Sequence, residues 1–353
     1  MKRISFIIPS LKAGGGSERI ITELANYAST KEEIEVHLVL LIKEERFYKL
    51  NDHVYVHEPD FDHQKYTRLF FTLKILKFLR RLIKEMKPDV VLSFEEMYNS
   101  FVLLALLFSK TKVFVSDRSQ PDRYWGMLHK ILKRLLYPTS YGMIAQTEIA
   151  KHIFYKQVFH NNIIVIPNPI RQVSKTNSFK ENIILNVGRL VKSKQQDLLI
   201  EIFSKTEKEG WTLVIAGDGP EKDNLLVKCH ELCLSEYVQF IGNVSNIDEY
   251  YYRSRIFAFT SNSEGFPNAL GEAMAASCAV ISFDCKAGPS ELIHNDYNGY
   301  LIGEDDMEKY RICLQKLIDD NSLCNYFGKN ARTKAEQYSI ELIGESYLNT
   351  LLK

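Results

Sequence analysis

Long hydrophobic runs are missing. The longest, Phe101–Phe108, falls far short of the roughly 20 residues a membrane-spanning helix needs. After Met1-Lys2-Arg3 the apolar stretch Ile4–Pro9 is brief and meets Lys12 and then glycines, with no signal-peptide h-region and no A-x-A-like site. The expectation is a protein made and kept in the cytoplasm. Cysteine is sparse and one-sided. All six (Cys229, Cys233, Cys278, Cys285, Cys313, Cys324) lie in the second half, and no second pair stands at zinc-ribbon spacing from Cys229 and Cys233. They read as reduced, mostly buried thiols. Ten prolines and 17 glycines are too few for a collagen-like chain, and 45% hydrophobic residues are too many for a disordered one. A net excess of either charge is nearly absent too, with 45 Lys+Arg against 44 Asp+Glu. That balance hides an asymmetry: residues 1–168 are basic and residues 169–353 acidic. Two modules are implied, the first facing something anionic.

What the sequence does contain is alternation. Short apolar runs at 4–8, 36–42, 90–94, 113–116, 142–145 and 163–166 read as strands, and residues 18–27 as a helix. Pro167-Asn168-Pro169 can continue neither element, so a linker starts there. The pattern then begins again, with strands at 182–187, 212–216, 238–241, 256–259 and 279–282. Strands alternating with helices twice over argue two doubly wound, parallel-sheet α/β domains. In such sheets ligands bind at the carboxyl ends of the strands.

Three strand-end loops carry candidate chemistry. Ser10–Arg19 holds Gly14, Gly15 and Gly16 ahead of a helix, where free N–H groups and the helix dipole suit a phosphate or sugar oxygen. It is neither G-x-G-x-x-G nor a P-loop. Gly188–Lys194 offers Arg189 and Lys194, two cations of the kind a diphosphate leaving group needs as charge develops on it. Ser263–Ala275 places Glu264 ahead of a helix beginning near Pro267 or Asn268, and Glu272 about two turns along. Each carboxylate can accept bonds from hydroxyls, one on a sugar and one on a ribose. The N–H groups from Phe266 to Ala269 are available to sugar or phosphate oxygens.

Glu264 and Glu272 form an E-x7-E spacing within E-G-F-P-N-A-L-G-E-A-M-A. With the glycine loop ahead of Glu18-Arg19, and Arg189 five residues before Lys194, the chain resembles the retaining GT-B glycosyltransferases of glycosyltransferase family four. Gly217-Asp218-Gly219-Pro220 looks like the family's G-D-G-P turn, and Phe240-Ile241-Gly242 like its F-x-G strand end. The resemblance implies two Rossmann-like domains facing a central cleft. Residues 1–168 would form the acceptor and membrane side and 169–337 the nucleotide-sugar side, with about 338–353 packing back on the first domain. It implies Arg189 and Lys194 on the donor diphosphate, Glu264 beside the transferred sugar and Glu272 on the ribose. Gly15, Gly16, Gly217, Ile241, Gly242, Gly265, Phe266, Pro267, Asn268 and Ala269 would border the donor. The chain departs from the family in two places. Ser277-Cys278-Ala279-Val280-Ile281 replaces G-x-P-V-I, and Asp117-Arg118 stands where many members have a histidine, although a related subgroup carries S-E-R-N-x-P there. Arg118 is assigned to the acceptor or sugar side.

Asp60-Phe61-Asp62 matches a metal–diphosphate D-x-D, but no strand leads into it and Arg189 with Lys194 already supply cations. No metal and no cofactor are expected. Residues 64–87 carry eight Lys/Arg against the single Glu85, with Leu69, Leu73, Leu76, Leu79 and Ile83 near helical spacing. Such a basic amphipathic helix can lie on an anionic leaflet through Lys74, Lys77, Arg80 and Arg81. A second basic stretch, 123–134, mixes Lys130, Lys133 and Arg134 with Trp125, Met127, Leu128, Ile131 and Leu132. No nucleic-acid-binding pattern accompanies these charges. The implied activity is transfer of a hexose or N-acetylhexosamine from a UDP-sugar to a hydroxyl of a glycan or polyprenyl-diphosphate-linked acceptor, on the inner face of the cytoplasmic membrane. The alternative is a UDP-sugar-binding relative that is no transferase, such as a hydrolysing 2-epimerase or an inactive partner.

Overall fold

The computed structural model describes residues 1–174 and 179–353, which form two compact units: Met1–Pro169 with Ile340–Lys353, and Ile170–Ser339. The first unit runs β1 (Lys2–Ile8), α1 (Gly16–Ala28), β2 (Ile34–Leu40), β3 (Val54–His57), α2 (Arg68–Met86) and β4 (Val90–Phe94). It continues through α3 (Glu96–Leu106), β5 (Lys112–Ser116), α4 (Met127–Leu136), β6 (Gly142–Ala145), α5 (Glu148–Val158) and β7 (Ile163–Val165). Among the described residues its sheet has the order β3-β2-β1-β4-β5-β6-β7, parallel throughout.

The second unit repeats the design with β8 (Glu181–Val187), α6 (Gln196–Ser204), β9 (Thr212–Ala216), α7 (Lys222–Glu231), β10 (Val238–Gly242), α8 (Ile247–Arg253) and β11 (Ser254–Phe259). After these come α9 (Asn268–Ala275), β12 (Ala279–Phe283), α10 (Pro289–Leu292), β13 (Gly299–Ile302), α11 (Met307–Asp319) and α12 (Asn321–Glu336). Its sheet is also parallel, ordered β10-β9-β8-β11-β12-β13. Both sheets reverse direction of winding next to their first strand, between β1 and β4 and between β8 and β11. A crevice opens at the carboxyl ends of the strands at such a reversal. The helix α13 (Ile340–Leu351) returns to α1: Gly344 lies so close to Tyr27 that an added Cβ would meet the ring at 2.4 Å, and Glu345 takes Tyr27 Oη–H and Lys31.

The alternation of runs anticipates the central strands, and the edge strands β3 and β13 are what it misses. Each is four residues long; β3 mixes Tyr55 and His57 with its valines, and β13 offers only Tyr300-Leu301-Ile302 after Gly299. The basic helix α2 also differs from the expected stripe. Ile75, Leu79, Ile83 and Met86 are buried in the core, whereas Leu69, Phe70 and Leu73 are exposed.

Lys133 is a correction. The basic stretch 123–134 groups it with Lys130 and Arg134, yet its ammonium is buried on α4 between Glu96 Oε1 at 2.6 Å and Asp117 Oδ2 at 2.7 Å. Trp125 Nε1 and Ser119 Oγ donate to Glu96, and Tyr137 Oη and Asn99 Nδ2 to Asp117. Burial works against the Glu96 charge, but His129, Lys133 and Trp125 together pull its carboxyl down to about 2. Asp117 is pushed up by burial and by Glu96 beside it. Spacing could not reveal this, because a Lys one turn from Lys130 looks like another surface charge.

A partly buried polar group bridges β1, β2 and β3. Arg3 grips Glu35 with two 2.9 Å bonds, Glu35 accepts from His37 Nε2, and His37 Nδ1 lies 2.9 Å from His57 Nε2. The carboxylate fixes the proton of His37 on Nε2, leaving Nδ1 to accept from His57. Burial pushes both imidazoles below their ordinary value of 6.5. The folded form therefore binds fewer protons than the unfolded chain just below that value. Stability is fully present above it and falls as the pH drops toward the folded-state values. The melting temperature should fall on acidification from neutrality, and His57→Gln should flatten that fall. An identical pH profile in the variant would remove the pair from the account.

Candidate active site

The loops after β8 and β11 flank the reversal of the second sheet. Their backbones interlock: Asn262 N–H donates to Ser193 O, Thr260 Oγ1–H to the carbonyls of Lys194 and Gln195, and Ser261 Oγ–H to Ser193 O. Those bonds hold the turn 192–194 so that Lys194 Nζ reaches Glu264 Oε1 at 2.5 Å. Lys194 is largely buried, at 23% side-chain exposure, and Glu264 more so at 11%. The ion pair with Glu264 is what draws Lys194 in. Arg189 is exposed on the same loop. Cys285, past the end of β12, stays a thiol, pushed up to about 12 by burial and by Glu264, so it offers no nucleophile here.

The G-D-G-P turn shapes this loop from below. Leu190 N–H donates to Asp218 O, and Glu221 N–H to Leu190 O. A Cβ on Gly217, at φ 132°, would stand 2.0 Å from Gly188 O, and one on Gly219 would stand 2.4 Å from Leu190 O. Only glycine permits that approach. Gly242, at φ 65°, accepts from Gly217 N–H, which carries the end of β10 with Ile241 to the same edge.

On the other side α9 begins at Asn268 with Pro267 as its cap. The expected row of open N–H groups is shorter than its sequence implied, since Pro267 has none and Asn268 N–H donates to Phe266 O. Gly265, Phe266 and Pro267 are buried, and the Phe266 ring packs against Tyr338, so that side chain belongs to the core. Ala269 is half-buried. Glu272, also half-buried, is met by Arg171 Nη2 at 3.5 Å, and the same nitrogen lies 2.7 Å from Asp248. Burial alone would lower the Arg171 pKa, but Asp248 and Glu272 hold it well above its ordinary value. Arg171 was missed in the sequence reading. Its only signal is position, two residues past Pro169 where the chain enters this unit.

The family model described as "Glycosyltransferase Family 4" matches residues 14–172, and that described as "Glycosyl transferases group 1" matches residues 170–334. The chain is a family 4 glycosyltransferase. The transferase is 29% identical over 354 residues to the amylovoran biosynthesis glycosyltransferase AmsD of Erwinia amylovora, covering 97% of each chain. It is 29% identical over 361 residues to a Campylobacter jejuni α-1,4-N-acetyl-D-galactosaminyltransferase named for an undecaprenol-linked GalNAc-GalNAc-diNAcBac acceptor, covering 99% of this chain and 98% of that one. HepE of Anabaena, solved with UDP and glucose, shares the fold at TM-score 0.80 and 17% identity over 100% of both chains.

In the first unit of the transferase the glycine loop is already closed on itself. Glu18 accepts from Ala13 N–H at 3.2 Å and Gly15 N–H at 3.1 Å, and Tyr48 Oη–H donates to Gly14 O. A carboxylate thus occupies two of the N–H groups that the glycine pattern left open, beside Gly15 and Gly16. Asp62 of the D-x-D accepts from Gln64 N–H and caps a short turn. Arg118 is buried at the end of β5, its Nη2 donating to Tyr347 Oη at 3.0 Å. The four α2 cations are not equivalent. Lys77 is exposed, Lys74 lies over the Tyr66 ring at 4.4 Å, Arg80 donates to Ala105 O, and Arg81 pairs with Glu85. No helix of the described residues is long and apolar enough to cross a membrane.

Proposed function

We propose that the transferase moves a hexose or N-acetylhexosamine from a UDP-sugar to a hydroxyl of a lipid-linked envelope glycan, retaining the anomeric configuration without a metal. The observation that carries this reading is the Lys194–Glu264 pair at the sheet reversal, with exposed Arg189 on the same loop. Lys194 and Arg189 take the donor diphosphate and stabilise the charge that grows on it as the sugar–phosphate bond breaks. Glu264 accepts from hydroxyls of the transferred sugar, and Glu272, steadied by Arg171, from those of the ribose. The acceptor oxygen attacks from the face the leaving phosphate vacates, and that phosphate takes the acceptor proton, so no covalent nucleophile is required. Relatives named for polyprenyl-linked acceptors and a structural neighbour solved with UDP support the choice of partners. The test is mass-spectrometric product analysis with UDP-sugars and a polyprenyl-diphosphate-linked glycan, with the anomeric linkage read by NMR. Free sugar, a 2-epimer or an inverted linkage as the only product would reject the reading.

The same proposal places the transferase on the inner face of the cytoplasmic membrane. Its support is apolar surface beside cations: Leu69, Phe70 and Leu73 on α2, and Met127, Leu128 and Leu135 with Lys130 on α4, are all exposed. Each Lys or Arg near an anionic surface contributes about 1 kcal/mol, less with salt. Charge reversal at Lys74, Lys77, Arg80 and Arg81 should abolish co-sedimentation with anionic vesicles. Because Arg80 also ties α2 to Ala105 O, the pair Lys77→Glu with Arg81→Glu is the cleaner variant. Wild-type binding should need acidic lipid and fall with salt. Equal binding by that pair variant and wild type would mean that the charges only face water.

A further inference from the structure

Two cavities of the first unit open at the amino ends of its strands, the end opposite its glycine loop. One, of about 700 Å³, lies ahead of β4 and β5, lined by the last turns of α2 and α3, by Lys87 and Pro88, and by the loop 107–111. The other, of about 500 Å³, lies against the same loop and reaches Thr139 and Tyr141 ahead of β6. Between them the cavities form a trough along the starts of three neighbouring strands. At about 4.8 Å from strand to strand that distance is roughly 10 Å, the span of about three extended residues.

The floor of the larger cavity is apolar and its rim is basic. Ile83, Pro88, Ala105 and Leu106 are buried under it. Lys84, Lys87 and Lys110 are exposed around it, and no carboxylate pairs with any of them among the described residues. Arg80 spends its Nε–H on Ala105 O and meets no acid there either. The one acid of the lining, Asp89, is already taken, by Arg3 N–H at 2.8 Å and Lys2 Nζ at 3.9 Å. Phe108 lines both cavities. It is 94% exposed, and its backbone sits at φ 70°, a conformation that costs a side-chain-bearing residue strain. Ser109 N–H on Leu106 O and Thr111 N–H on Ser109 Oγ close the turn that presents it. A bulky ring held out of the core in such a turn forfeits its burial, and a partner that covers it restores the loss.

We propose that this trough docks an acidic, extended segment of a partner protein, with an apolar side chain of that segment packed on Phe108. Charge complementarity carries the choice. Four cations without a counter-ion call for carboxylates, and the apolar floor calls for a side chain set between them. A bilayer fits less well, because it is flat and the cavities are sunk on either side of a loop. The apolar residues of the membrane reading, Leu69, Phe70 and Leu73, also lie in the first turns of α2, about 20 Å from Lys84 at 1.5 Å per residue. The proposal goes beyond the transferase reading and stands without it, since the carboxyl ends of these strands carry the glycine loop and Arg118.

The test is selection from a random peptide library displayed on phage, with the wild-type full chain as bait and Phe108→Ser as the counter-selecting bait. Peptides enriched on wild type should combine several aspartates or glutamates with an aromatic or aliphatic residue. The most enriched one, labelled with fluorescein, should bind wild type by anisotropy and let go as salt rises. Phe108→Ser and the pair Lys84→Glu with Lys110→Glu should each weaken it about tenfold or more. All three replaced side chains are exposed, so thermal melts and UDP affinity by calorimetry should match wild type. No enrichment over Phe108→Ser, enriched peptides without acids, or equal affinity in wild type and the charge variant would each overturn the proposal. Displacement of the peptide by pyrophosphate would make the trough a small-anion pocket instead. Anionic vesicles that sediment wild type but not Phe108→Ser would give the loop to the membrane, and self-association lost in Phe108→Ser would give it to a second copy. Each of those three results overturns the partner segment.

Discussion

Lys194→Ala should lower turnover by about 10²–10³, the loss typical of removing one preorganised charge-stabilising donor. Arg189→Ala should fall in the same range, because the leaving diphosphate needs both cations. The two variants part company in stability. Arg189 is exposed, so its removal should leave the melting temperature nearly unchanged. Lys194 is the partner of a carboxylate only 11% exposed, and deleting it strands Glu264. Lys194→Ala should therefore melt lower than wild type, whereas Lys194→Ala with Glu264→Gln should regain much of that loss and none of the turnover. Single-turnover assays beside thermal melts separate these effects. Wild-type turnover in either single variant would remove the diphosphate assignment.

Lys133→Met should destabilise the first unit by about 3–5 kcal/mol, the range for breaking a buried charge network by removing one partner. At roughly 2–4 °C per kcal/mol for a unit of this size, the melting temperature should drop by roughly 10 °C. The methionine has nearly the right volume, so the loss comes from two uncompensated carboxyls, Glu96 and Asp117, rather than from a cavity. Adding Glu96→Gln and Asp117→Asn should restore most of the stability. A melt unchanged from wild type would mean that the ammonium reaches water after all.

The strand-end motifs could be read from the sequence because they depend on local backbone. E-x7-E needs only a turn and two helical turns to place Glu264 and Glu272, and Gly217 is demanded by a contact with a neighbouring strand end that the family pattern encodes. The G-G-G loop shows the opposite. Its glycines suggested open N–H groups, but Glu18, three residues on from Gly15, already takes that of Gly15 and that of Ala13.

Alternating apolar runs and turn residues determined two parallel α/β sheets with functional loops at their carboxyl ends, since burial on both faces leaves its mark on consecutive residues. Which charges are on the surface was decided by the tertiary structure alone. Lys133, Lys194, Arg171 and Arg118 look in the sequence like other cations, and each is drawn inward by partners 16 to 229 positions away: Lys133 by Glu96 and Asp117, Lys194 by Glu264, Arg171 by Asp248 and Glu272, Arg118 by Tyr347. Coulomb attraction and hydrogen bonding act through space, and only the folded sheet order brings those partners within 4 Å.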